Sequence, residues 1–98
     1  MDDLIQLQPR DFEYMGILQE ECAEVIQIIS KINRFGLYSS NPFEENAKNN
    51  QQQLIDEVGD VYALIQKLEE RGLFTREQIE QRAEYKHAKL KRYLRTAE

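Results

Sequence analysis

Two long stretches of this chain carry apolar residues at alternating three- and four-residue steps, a spacing that only an α-helix gathers onto one side. The first is Met15, Leu18, Cys22, Val25, Ile29 and Ile32. The second is Leu54, Val58, Val61, Ile65 and Leu68. The two prolines, Pro9 and Pro42, fall outside both stretches and interrupt neither. Helix is therefore expected from Pro9–Asp11 to about Asn33 or Arg34, and again from about Gln51 to Glu70. Ile17, Ile26 and Ile28 widen the first stripe beyond a single seam, so the first helix is expected to have more than one partner.

End signals agree with this division. Arg34-Phe35-Gly36 closes the first helix, with Gly36 free to take the left-handed conformation. Asn41-Pro42-Phe43-Glu44 reads as a capping start, predicting a short connecting helix. Arg71-Gly72 ends the second long helix, and Thr75-Arg76-Glu77-Gln78 opens a third. Its stripe is Ile79, Ala83, Lys86, Leu90, Tyr93 and Ala97, and Lys89, Lys91, Arg92 and Arg95 make its end basic. The expectation is an all-α antiparallel bundle of three long helices plus a short connecting helix, one domain over residues 1–98, assembled as a dimer or tetramer.

A composition of 41% hydrophobic and 32% charged residues suits a folded helical chain. The net charge of −5 argues against binding a nucleic-acid polymer over the whole surface. Cys22 is the only cysteine, so no intramolecular disulfide forms. No apolar run approaches a membrane span, and Met1-Asp2-Asp3 does not begin a signal peptide. A cytoplasmic protein with no membrane partner is the expectation.

Chemistry concentrates in two acidic clusters. Glu20, Glu21 and Glu24 form an E-E-x-x-E run on the first helix; Glu57 and Asp60 form an E-x-x-D run on the second. At ~100° per residue, Glu21 and Glu24 fall on a flank of the apolar stripe beside Ile17 and Ile28, while Glu20 points further toward solvent. Glu57 and Asp60 lie on the corresponding flank with Leu64. Such acids brought face to face repel unless cations sit between them, and Mg²⁺ takes all-oxygen sites that leave positions open for phosphate oxygens. The substrate class this favours is a polyphosphate, and the reaction is metal-assisted hydrolysis.

The paired clusters resemble those of the MazG-type all-α nucleoside triphosphate pyrophosphohydrolases. Gln19 to Gly36 (QEECAEVIQIISKINRFG), Leu54 to Leu68 (LIDEVGDVYALIQKL) and the Lys86-His87-Ala88-Lys89-Leu90 stretch are similar to that family's helices. The resemblance implies Mg²⁺, with Mn²⁺ as a substitute, held by Glu20, Glu21, Glu24, Glu57 and Asp60. It implies hydrolysis of a (deoxy)nucleoside triphosphate at the α-phosphorus to monophosphate and pyrophosphate, with Glu21 taking the water proton. Lys31, Arg34, Lys86 and Lys89 become candidate phosphate contacts, and a homodimer or homotetramer with sites near subunit interfaces is implied. The connector from Val25 to Asp56 is longer than is usual in that family. Within it Phe35 and Tyr38 are candidates to stack on a base, and Asn33 or Asn50 to read its edge.

Other readings compete with these. A glutamate run is ordinarily a solvated face, and Cys22 in a stripe is a small hydrophobe. Gly59 is either a tolerated surface glycine or a point of close approach by another backbone or a ligand. Glu84-Tyr85-Lys86-His87 has the Glu-x-x-His spacing of di-iron bundles, but such sites use two copies of the motif and this chain has one. A non-catalytic helical interaction module explains the stripes without explaining the acids.

Overall fold

The computed structural model describes residues 4–96. Among them are three helices and no strand: α1 (Pro9–Phe35), α2 (Asn50–Glu70) and α3 (Arg76–Tyr93). The expected all-α class and the three helix positions are met. Met1-Asp2-Asp3 and Ala97 lie outside the described residues.

Each start is written in side chains that occupy the unpaired N–H groups of a first turn. At α1 the Asp11 carboxylate accepts from the Gln8 N–H at 2.8 Å. At α2 Asn49 and Gln52 exchange bonds of 2.9 and 2.8 Å. At α3 Thr75 and Gln78 do the same at 3.1 and 2.9 Å. Gly36 (φ 100°) and Gly72 (φ 86°) supply the positive φ that lets the chain leave α1 and α2.

Asn41 caps no helix. Its side-chain oxygen accepts from the Phe43 N–H at 3.0 Å, an Asx turn, and residues 42–46 form turns and a bend. The expected short connecting helix is absent because the local side-chain bond closes the backbone two residues on. Leu37 and Ser39 carbonyls then accept from Gln51 and Asn50 N–H at 2.8 and 2.9 Å, tying the connector to the start of α2.

The extensive packing among the described residues is between α1 and α2, running antiparallel: Asp11 at the start of α1 meets Arg71 at the end of α2, and Asn50 at the start of α2 meets Gly36. The expected three-helix bundle is thus a two-helix pair with α3 set apart, every one of its residues exposed. Its polar stripe, broken by Lys86, buries too little apolar area to hold it down. Ile28 and Leu68, each 3% exposed, are the only fully buried apolar side chains among the described residues. The radius of gyration is 17.4 Å, against about 13 Å for a closed domain of this length. No described helix is long and apolar enough to cross a membrane.

Candidate metal centre

The row of α1 that faces α2 is Leu18, Glu21, Val25, Ile28 and Ile32; the row of α2 that faces α1 is Leu54, Glu57, Val61, Leu64 and Leu68. Glu21 and Glu57 therefore stand within the helix–helix seam, where apolar residues are expected, rather than on its flank. Glu24 and Asp60, one turn on, lie at the open edge of the same seam and are exposed. Carboxylate oxygens of Glu21, Glu24, Glu57 and Asp60 all lie within 4.8 Å of one another. Glu20 is exposed and is not part of this group: a 100° step from Glu21 carries it round to the solvent side.

One oxygen of Glu21 and one of Glu57 are buried with no hydrogen-bond partner. No hydrogen-bond donor answers the two buried oxygens. Glu57 is pushed up to about 7, first by the Glu24 carboxyl with which it can share a proton, then by burial, then by the charges of Glu24, Glu21 and Asp60. Burial raises Glu21 also, followed by the charges of Glu24 and Asp60. The acid-to-acid bond exists only while a proton is shared; once the acids ionise, those oxygens have nothing to accept from. A hard divalent cation meets that need: all donors are oxygens, and the two exposed acids leave one side open.

Of the cations expected to meet phosphate, Lys31 lines a cavity of about 420 Å³ with Phe35, Phe43, Asn50 and Gln53. Lys31 is seven residues beyond Glu24, and Gln53 seven before Asp60, so in antiparallel helices the cavity lies about 10 Å along the same edge from the carboxylates. Arg34 stacks on Phe35 at 4.7 Å. Lys86 and Lys89 are on α3, outside the α1–α2 pair, and Lys89 lies 5.8 Å from the Tyr93 ring. The structure does not bring either to the acids.

Asn50 is 5% exposed and donates to the Gly36 carbonyl at 2.9 Å, so it holds the connector rather than reading a ligand edge. Tyr38 is exposed and outside the cavity lining; Phe43, which the sequence did not single out, is in it. Cys22 is exposed, not in the core. Lys48 was also missed: it pairs with Asp56 at 2.6 Å, and that bond, with the Asp56 charge and lastly the Glu57 charge, holds its ammonium above the usual lysine range. A lysine eight residues upstream on a loop carries no periodic signal. Compared with models of known protein families, with curated proteins and with solved structures, the chain matches none.

Proposed function

We propose that this chain is a Mg²⁺-dependent hydrolase of the MazG type, cleaving (deoxy)nucleoside triphosphates to monophosphate and pyrophosphate. The observation that carries the reading is the pair of buried, partnerless oxygens of Glu21 and Glu57 inside a four-carboxylate cluster. A solvated acidic face would leave those oxygens in water, and a purely structural seam would have apolar residues there.

Glu21, Glu24, Glu57 and Asp60 would hold the ion. Bound there, it supplies positive charge to phosphoryl oxygens and activates a water. Glu21 would accept the proton as the new O–P bond forms at the α-phosphorus. The bond between the α-phosphorus and its bridging oxygen breaks, and pyrophosphate leaves with the electron pair. Lys31 contacts the phosphate chain. The nucleoside occupies the cavity about 10 Å along the edge, its base against Phe35 and Phe43. Arg34 orients the Phe35 ring, and Lys86 and Lys89 reach phosphate only from another copy or after α3 moves. Assembly as a homodimer or homotetramer and a nucleotide-pool role in the cytoplasm complete the reading.

The test is a panel of triphosphates incubated with the chain, with and without Mg²⁺, scored for monophosphate and pyrophosphate. Equimolar release of both, dependent on the metal, is expected. Orthophosphate as the first product, or no turnover of any nucleotide with Mg²⁺ or Mn²⁺, would overturn the proposal and favour an interaction module.

A further inference from the structure

Three residues of α2 share the edge on which the seam opens. Measured from the row that meets α1, Gln53, Asp56 and Asp60 are turned about 60°, 120° and 80° in one sense. Gln53 lines the cavity with Lys31 and Phe35, and Asp60 belongs to the group of four carboxylates. Asp56 stands between them, about 4.5 Å of helix rise beyond Gln53 and about 6 Å short of Asp60. It is not one of the four clustered acids. Its Oδ2 accepts instead from the Lys48 ammonium at 2.6 Å.

Lys48 is fixed at both ends. Its carbonyl accepts from the Gln53 side chain at 3.0 Å, beside the cavity wall, and its ammonium donates to Asp56. The next residue, Asn49, caps α2, which anchors the backbone at that point. A free surface lysine loses much rotamer freedom on binding a ligand; one already held by a carboxylate loses less. An ammonium carries three donors, so Asp56 leaves two, on a side chain 63% exposed. An ion pair between two exposed side chains adds little to stability, so the fold does not need this lysine where it is.

We infer, on the reading that a nucleoside fills the cavity and the carboxylates hold the ion, that Lys48 binds the α-phosphate and that Asp56 positions it. The α-phosphate is the phosphate nearest the nucleoside, and between the cavity and the acids it comes level with Asp56. Other cations serve that level less well. Lys31 lines the cavity itself, Arg34 is stacked on Phe35, and Lys86 and Lys89 stand on α3 away from this edge. The two remaining Lys48 donors meet non-bridging α-phosphoryl oxygens, offset their charge and hold the phosphorus in line for the attacking water. Asp56 acts only through the lysine and touches no substrate.

The experiment combines steady-state turnover with calorimetric binding, both on the full chain in Mg²⁺, with circular dichroism to follow helix content. The binding arm compares a nucleoside monophosphate with its nucleoside, using the base of the triphosphate turned over fastest. Lys48→Gln should cut the ratio of monophosphate to nucleoside affinity about tenfold, leave nucleoside affinity alone and lower kcat/KM by on the order of 100-fold. Asp56→Asn should do the same more weakly, and Lys48→Arg should recover part of the loss. Lys67 is the control: its ammonium also pairs with a carboxylate, that of Glu70 at 3.6 Å, but beyond Asp60 on the side away from the cavity. Lys67→Gln should leave every readout at the wild-type value. Wild-type turnover with an unchanged kcat/KM and affinity ratio in Lys48→Gln overturns the inference and leaves the hydrolase reading standing. Lost turnover with an unchanged ratio, or with lost helix content, makes Lys48 a structural residue and overturns it too. A wild-type chain that turns over no triphosphate removes the hydrolase reading and this inference together.

Discussion

Acids are drawn into the α1–α2 seam at two places, and the two are resolved in opposite ways. At its end Asp11, 1% exposed, meets the Arg71 Nε–H at 2.6 Å and also the Gln8 N–H. The Arg71 bond, followed by the Gln8 bond, holds the Asp11 carboxyl below its ordinary range. In the middle Glu21 and Glu57 have no donor, and their proton affinities rise. One acid fastens the helices; the others hold them under repulsion. An arginine answers the seam acid at one end, and no donor answers the buried oxygens of the pair in the middle.

The contrast can be broken most severely at the exposed acids. Glu24→Gln and Asp60→Asn should each lower Mg²⁺-dependent turnover by on the order of 1000-fold with helix content unchanged, read by pyrophosphate release. Unchanged rates in both would remove the acids from the chemistry. Truncation in the seam is next: Leu68→Ala or Ile28→Ala should cost about 2–5 kcal/mol, measured by urea unfolding.

Protonation sharpens the difference between the two acid settings. Glu57 binds its proton more tightly folded, about 7, than its ordinary 4.5. Its contribution to stability is therefore complete below about pH 4.5 and lost as pH rises through 7. Asp11 has the opposite sign: its contribution is present above its ordinary 3.8 and lost as pH falls through the lower folded value. Without metal, Glu57→Gln should raise the melting temperature at pH 8 and hardly change it at pH 4. Saturating Mg²⁺ should raise the wild-type melting temperature at pH 8, by about 2.7 kcal/mol of stability at a hundred times its Kd, and much less at pH 4. Asp11→Asn should lower the melting temperature at pH 7 without altering the metal response. The smallest effect belongs to Glu20→Gln, which should leave turnover and metal response as in wild type, since Glu20 faces away from the cluster.

Periodicity and caps made the helices readable: α1 and α2 begin and end within two residues of where the apolar steps and Gly36 and Gly72 place them. Both acidic runs were legible as candidates, and their convergence followed from two helices with acids beside matching stripes. What the sequence does not encode locally was lost. Asn41 has the residue type of a cap, but its bond to Phe43 makes a turn, and Asn49 caps instead. Glu21 was expected beside the seam and stands in it, because the meeting row of α1 is centred between Val25 and Ile28 rather than on Cys22 and Ile29. Arg71 lies 60 residues from Asp11, a pairing that no periodic pattern announces.

Calorimetric titration of Mg²⁺ and Mn²⁺ into the full chain and into its Glu21→Gln and Glu57→Gln variants addresses the partnerless oxygens most directly. Saturable binding to wild type, weakened at least about tenfold in both variants and unchanged in Glu20→Gln, is the predicted result. Wild-type chain that takes up neither ion at millimolar concentration, or variants that bind as wild type does, would contradict it.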